Sequence, residues 1–435
     1  MNTTDRFLER INSFGTQPLD PASLHQVKRC LLDYSGVLFA GRRLLGDRLS
    51  ALTSSGVCGR GAYEAAMLNG FAAHVIELDD GHRFGAPHLE AVIISAMLGV
   101  AKKESISFER FVNGILIGYE ATIRLSASMQ PGLKMKGFHA TGVCGAIGVA
   151  CAAGYALGLN DTQMKGAFSA AASSAAGILQ VLDDNSELKP YNVVNAIQSG
   201  LTAVCLSKCG FRGPDDVLGG KRGYLRAHTD QVDLETLLGA NERPAIFQIY
   251  VKPYASCRHS HAAVECALRM RGKSTFSAEE IDTVEVQTYR LGILAHDQTV
   301  IESVSSAKMS TPYSVAAALV FGSCGPEAFS EQAIRMPAVQ SLTQKVRVVE
   351  NERLTAVCPE KRGAIVTITL NDGSTLTEEV EYPLGEPENP MTDAQLEEKY
   401  TSLMTFAGVM ADEIERIKSM IWDIEHSYED LINSI

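Results

Sequence analysis

The sequence predicts a mainly α fold, a large all-helical domain into which a smaller α+β unit is inserted. Three observations carry this. Apolar residues recur at intervals of three and four over about the first 210 positions. Two segments, 141–157 and 161–179, are almost wholly small or apolar. Near residue 245 the period changes to that of strands, and helical spacing returns after Pro390. The boundaries follow: 1–249 with 389–435 for the helical domain, 250–388 for the α+β unit.

Leu24, Val27, Leu31, Leu32, Ser35 and Leu38 mark the first amphipathic helix, with Asp20 as N-cap and Pro21 at its first position. Ser107 opens a second, running to about Ser126, with Val112, Ile115, Leu116, Tyr119 and Ile123 on one side. In 141–157 the residues Gly142, Gly145, Ala146, Gly148, Ala150, Ala152, Ala153 and Gly154 leave little side-chain bulk. A helix apolar all round and this slim belongs at the centre of a bundle, where neighbours approach closely. Asp161 to Leu179 repeats the theme, and Asn160, Asp161 and Lys165 interrupt the run, which argues against membrane spans.

Ile246–Val251 and Ile281–Tyr289 read as strands, the second with half-buried alternation. Val346–Val349, Ala364–Leu370 and Leu376–Tyr382 are further strands, the last two joined by Asn371-Asp372-Gly373, a strong hairpin turn signal. Helices around Ala262–Arg271 and Tyr313–Phe321 lie among them. After Pro390 come a helix opening at Thr392 and one more from Ala411 to Ile432.

With 435 residues, 46% of them hydrophobic and 21% charged, the chain has the make-up of an ordinary globular protein. Its net charge of −12 excludes nucleic acid as the main partner, because phosphate binding wants a basic face. No apolar run reaches the roughly 18 residues that span a bilayer. The first residues lack a signal-peptide core, so a cytoplasmic location is the expectation. Ten cysteines without a tight repeated spacing read as reduced and mostly buried, Cys205 and Cys209 included.

Chemistry concentrates at helix and strand ends. The densest stretch packs three carboxylates (Glu77, Asp79, Asp80) and three histidines (His74, His82, His88) into fifteen residues beside an apolar run. His74 and Glu77 would share a face if helical. Three readings are open for the stretch: a metal site, an acid/base set, or a solvated helix end. His139 precedes the small-residue helix, where backbone N–H groups favour an anion. Lys189 opens another helix and offers a cation to a carboxylate. Gly210–Leu218 reads as a structural loop and helix start.

Lys252, Arg258, His259 and His261 concentrate cationic residues where a strand gives way to a helix, which suits a carboxylate-binding site. Tyr313, at the start of its helix, is a candidate to donate a proton or a hydrogen bond. Neither a P-loop nor a dinucleotide glycine fingerprint accompanies these residues. The set suits proton abstraction beside a carboxylate, where cations offset charge building on an enediolate.

At these same places the sequence resembles the MmgE/PrpD family. The matching pieces are Asn69-Gly70 with Ala73-His74 and Leu78-Asp79-Asp80, Gly137-Phe138-His139 with Thr141-Gly142, and Lys189-Pro190-Tyr191-Asn192. Gly210-Phe211 with Gly213-Pro214, Lys252-Pro253-Tyr254 with Ser256-Cys257-Arg258-His259, and Pro312-Tyr313-Ser314-Val315-Ala316 continue them in the family's order.

The resemblance implies that the α+β unit is a lid, that the site lies between the two domains, and that the protein is a homodimer. It also implies chemistry without metal or organic cofactor. His139, Lys189, Lys252 and Tyr313 match positions that line the family's active site. The chain departs from the pattern at Glu77, Gly81, Pro87-His88 and Cys257.

The expected activity is a cofactor-independent lyase that eliminates water from a small hydroxy polycarboxylate. Catalysis would fall to His139, Tyr313, Lys189, His88 and Asp80, and substrate binding to Lys252, Arg258, His259, His261, Glu77 and His82. An epimerase or decarboxylase of a related polycarboxylate, a metal-dependent hydrolase and a non-catalytic binding paralogue are the alternatives.

Overall fold

The computed structural model describes residues 1–16, 18–55, 61–182, 186–240 and 243–435. It is 62% helical with only small sheets, so the chain is mainly α. Two compact units emerge: one of Met1–Asp183, Glu187–Ile249 and Thr392–Ile435, the other of Asp184–Ser186 and Tyr250–Met391. None of the helices among the described residues is long and apolar enough to cross a membrane.

The helical unit is built around the helix Ala140–Ala156, in which every residue except Tyr155 is buried. Its glycines permit the approach. A Cβ on Gly148 would fall 2.0 Å from the Thr122 hydroxyl of the helix Phe108–Ser128, and one on Gly200 of the helix Tyr191–Lys208 would meet Val149 at 2.5 Å. The helix Pro21–Leu45 begins as its sequence dictates. Asp20 accepts from the Ser23 N–H at 2.9 Å, ahead of Pro21. Replacing Asp20 with Ala should lower stability by about 1 kcal/mol in urea unfolding, with Asp20→Asn sparing most of that loss.

In the second unit four strands lie in the order Val346–Glu350, Ile281–Thr288, Ala364–Leu370, Thr375–Val380. The first pair is parallel and the other two are antiparallel, with Val284 opposite Ile368 and Val286 opposite Val366. Those four side chains are buried, and the helix His261–Lys273 packs on the strands Ala364–Leu370 and Thr375–Val380. Gly373 takes the φ of +85° that the hairpin turn needs.

Several expectations are corrected. Ile246–Val251 is not a strand: Pro244 leads into a 3₁₀ turn, Ala245–Gln248, and only Ile249–Tyr250 are extended. A short buried apolar run carries no period that tells these states apart. The helix from Asp161 stops at Ser174, where Ala175 turns extended before Gly177 at φ +142°. The last helix is two, Ala411–Trp422 and Ile424–Ser434, broken at Asp423, whose carbonyl and carboxylate engage Ser427 and His426.

No helix starts near Asp216. Its carboxylate ties a turn together by accepting from Thr4 and the Gly219 N–H. Cys205 and Cys209 are exposed rather than packed in the core.

Candidate active site

The helix Ala62–Val75 ends one turn early for His74 and Glu77 to share a face. Glu77 instead takes left-handed backbone at φ +60°, a conformation that costs a non-glycine residue about 1 kcal/mol or more. It turns the Glu77 carboxylate to the Lys189 ammonium, with which it forms an ion pair. His74 points the other way, its Nδ1 2.6 Å from Asp79 Oδ2, both side chains fully buried. That contact puts the His74 proton on Nδ1, and Nε2 is a buried acceptor without a hydrogen-bond partner.

Further along, His88 Nδ1 lies 2.6 Å from the Asp80 carbonyl, so Nδ1 carries the proton and Nε2 is the basic nitrogen. Asp79 Oδ2 stands 3.5 Å from the same Nδ1. The His88 backbone N–H donates to Thr141 Oγ1 at 3.1 Å, tying this loop to the first turn of the central helix.

His139 occupies the N-cap position of that helix. Its Nδ1 accepts from the Asn192 amide at 3.0 Å, which assigns its proton to Nε2. The His74 ring stacks on His139 at 6.0 Å and meets His88 edge-on at 4.8 Å. Burial pushes the His139 pKa well below the usual imidazole value; Lys189, His74 and His88 act in the same sense and Glu77 against it. The ring is therefore neutral at pH 7. Lys189, His88 and Glu77 keep side-chain exposures of 14, 11 and 8%, so they form the mouth of the cluster, with His74 and Asp79 behind it.

The remaining residues of the loop serve its shape. Asp80 Oδ1 accepts from the N–H groups of Leu89 and Glu90, which open the helix Glu90–Lys103, and its Oδ2 accepts from Tyr119. Asp80 thus stands as a cap, not as a group at the mouth. His82 Nδ1 accepts from the Gly85 N–H at 3.1 Å and Nε2 faces Gln248 at 3.4 Å, so His82 braces a turn instead of offering itself to substrate. Of the five residues weighed for a metal-dependent hydrolase, His74 and His88 converge with Asp79, their ligand atoms lying within 4.8 Å of one another, while Asp80 caps a helix and His82 braces a turn.

Behind the mouth lies a layer of which only Asp80 was in the expected set. Asp33, Asp80 and Glu90 are all at most 1% exposed, and Lys399 pairs with Asp33 while donating to the Leu78 carbonyl at 3.1 Å. Burial raises the pKa of all three. Asp80 reaches about 7 and Glu90 lies well above the ordinary glutamate value, helped by the charges of Asp33 and Asp80. Lys399 belongs to the helix Asp393–Phe406, so the returning C-terminal segment supplies the cation of this layer.

In the α+β unit Lys252 is 1% exposed. Arg258 was expected to anchor a substrate carboxylate. Its guanidinium is instead occupied by Glu386 Oε1 at 2.8 and 3.1 Å and lies over the Tyr250 ring. His261 Nδ1 accepts from Arg258 Nη1 at 2.8 Å and its Nε2 lies 3.2 Å from the Ser256 carbonyl, so this imidazole completes the same clamp. Tyr313 donates to the Ala328 carbonyl at 2.6 Å with 1% exposure, which makes it a core tyrosine with its hydroxyl satisfied. His259 Nδ1 lies 2.7 Å from the Tyr289 hydroxyl.

Sequence reasoning named His74 and Asp79 within the dense stretch but gave them no role in the lyase, and it passed over Asn192, which stands in a stretch it singled out. Asp33, Glu90 and Lys399 gave no signal at all, since each looks like one more polar position on an amphipathic helix.

Fold and site together define a mainly α protein whose helix ends bring imidazoles, a lysine and carboxylates into one acid/base cluster. The chain belongs to the MmgE/PrpD family, matching its N-terminal domain over residues 6–237 and its C-terminal domain over 254–425. Among curated relatives, the cis-aconitate decarboxylase-like protein oryM of Aspergillus oryzae is 25% identical over 84% of this chain and 80% of its own. The cis-aconitate decarboxylase of Mus musculus is 26% identical over 92% of this chain and 86% of its own. A probable 2-methylcitrate dehydratase of Saccharomyces cerevisiae is 28% identical over 29% of this chain and 26% of its own.

Proposed function

We propose that the protein is a lyase of small polycarboxylates that removes a proton alpha to a carboxylate and expels water. The observation that carries this is the presence of opposite tautomers in one cluster, each ring packed against His74: His88 with a basic Nε2 and neutral His139 with its proton on Nε2. An elimination needs both. His88 Nε2 takes the α-proton, and the imidazolium formed is stabilised by Asp79, 3.5 Å from its other nitrogen. His139 offers its N–H to the oxygen on which negative charge builds, and Lys189 offers its ammonium to a substrate carboxylate that displaces Glu77. The proton held by His88 leaves with the departing hydroxide as water. The product is an unsaturated polycarboxylate, and both histidines end as they began.

A second reading is decarboxylation, favoured by the long coverage of the relatives named cis-aconitate decarboxylases. There the carbon–carbon bond breaks first and the cluster only has to deliver a proton to the carbanion. Incubation in heavy water with 2-methylcitrate, citrate, cis-aconitate and iminodisuccinate separates these. Elimination predicts a new double bond, with deuterium at the α-carbon of substrate recovered after reversible proton abstraction; decarboxylation predicts carbon dioxide release with deuterium in the product. Folded protein giving no exchange, no double bond and no carbon dioxide with any of the four would dispose of both.

A further inference from the structure

The α+β unit holds a second constellation that the proposed chemistry does not use. Cys257, His259 and His296 bring a thiol sulfur and two imidazole nitrogens within 4.8 Å of one another. All three residues are half-buried. Cys257 and His259 flank Arg258 at the start of a 3₁₀ turn, Arg258–Ser260, while His296 arrives from a separate segment. We propose that these three residues form a binding site for a soft divalent transition-metal ion, zinc being the first candidate.

The geometry argues for this in four ways. Cys257 Sγ and His296 Nε2 are 3.9 Å apart. Ligand atoms on a tetrahedral zinc, with bonds of about 2.0–2.3 Å, stand about 3.3–3.6 Å apart, so this pair closes by a few tenths of an ångström, and the whole set already lies within 4.8 Å.

Both imidazoles are also held from behind, as metal-binding histidines are. His296 Nδ1 lies 2.8 Å from the Met309 carbonyl, which puts its proton there and presents Nε2 as a lone pair. His259 Nδ1 lies 2.7 Å from the hydroxyl of buried Tyr289, and a metal on Nε2 would select the tautomer that donates to that oxygen.

The backbone is fixed at cost. Ala295 adopts φ +61°, a strained state for alanine, and so aims the next residue, while the His296 carbonyl accepts from the Thr311 N–H at 2.8 Å. The Cys257 N–H is anchored on the Lys308 carbonyl at 2.8 Å.

Finally, the nearest cation on the same turn is neutralised. Arg258 is paired with Glu386, so it adds little repulsion against an incoming ion. One thiolate and two imidazoles suit zinc above magnesium or calcium, which prefer oxygen. Three protein ligands leave the fourth tetrahedral position to water or another small donor.

The test uses the full chain, stripped of metal by a chelator and then titrated with Zn²⁺ by calorimetry and with Co²⁺ by absorption. The expected result is one ion per chain, a thiolate-to-cobalt charge-transfer band, and protection of Cys257 from alkylation when Zn²⁺ is present. Cys257→Ser should abolish the band, and His296→Ala should weaken Zn²⁺ binding at least a hundredfold. Tyr289→Phe should weaken it by about tenfold, the lower end of the usual effect of an outer-shell partner.

Circular dichroism checks that each variant folds, and His259→Gln provides a second ligand change should His296→Ala fail to do so. The exposed pair Cys205 and Cys209 is the competing thiol source, so Cys205→Ser with Cys209→Ser is the control. Binding that disappears with that control and persists in Cys257→Ser overturns the proposal, as does a chain that takes up no Zn²⁺.

Discussion

Replacing His139 with alanine is expected to lower kcat by about 10²–10⁴, the usual contribution of a positioned acid or base. The protein should remain folded, because the His139 side chain caps nothing and its removal gives up one hydrogen bond, to Asn192, and the ring contact with His74. His139→Gln should retain part of the rate, since its amide N–H₂ stands near the place of Nε2. Asn192→Ala should lower kcat with His139 intact, because the donor to Nδ1 that fixes the tautomer is gone.

The pH dependence follows from the same burial. A pKa well below the usual imidazole value means that His139 is neutral at pH 6.5 as well as at pH 8.5. The loss in His139→Ala should therefore be uniform across that range rather than confined to one limb. Steady-state rates on the substrate that exchanges its α-proton, beside circular dichroism of each variant, provide the measurement. His139→Ala within threefold of the parent at all pH values would remove His139 from the chemistry and with it the two-tautomer mechanism.

What the sequence disclosed divides along physical lines. Local periodicity is written in adjacent residues. The helix Pro21–Leu45 with its Asp20 cap, the strand Ile281–Thr288 and the hairpin at Asn371–Gly373 were accordingly legible. Where a break depends on capping geometry, as at Asp423, or where an apolar run is too short to show a period, as at 246–251, the pattern misled.

The site divides in the same way. A dense run of charge beside an apolar helix flagged 74–88, and a histidine at the start of a small-residue helix flagged His139. The partners that decide what those residues do are distant in sequence: Lys189 for Glu77, Asn192 for His139, Glu386 for Arg258, Lys399 for Asp33. A side chain's type announces what it can do. Whether it faces a mouth, as His88 does, or is consumed in holding the backbone, as Asp80 and Arg258 are, is set by contacts no local pattern contains.

The acid layer behind the mouth leads to the second large effect, on stability. Asp33, Asp80 and Glu90 all have folded-state pKa values above those of the unfolded chain, which lie near 4. Between the two values the native state binds more protons than the unfolded state, so stability falls as pH rises. The contribution is fully present below about pH 4 and is lost as pH climbs through each folded value, about 7 for Asp80 and further along for Glu90. Each carboxyl in its window tilts the stability curve by about 1.4 kcal/mol per pH unit.

Glu90→Gln removes one such group while keeping its shape. Neither Glu90 oxygen has a hydrogen-bond partner, so the amide forfeits none. Urea midpoints should coincide for parent and Glu90→Gln near pH 4 and diverge in favour of the variant towards pH 9. Lys399→Met should act in the opposite sense. It removes the cation that lowers the pKa of both Asp33 and Glu90, and so steepens the alkaline loss. Parallel stability curves for the parent and Glu90→Gln would show that Glu90 ionises in the folded protein as it does in water, and that the layer stores no protons.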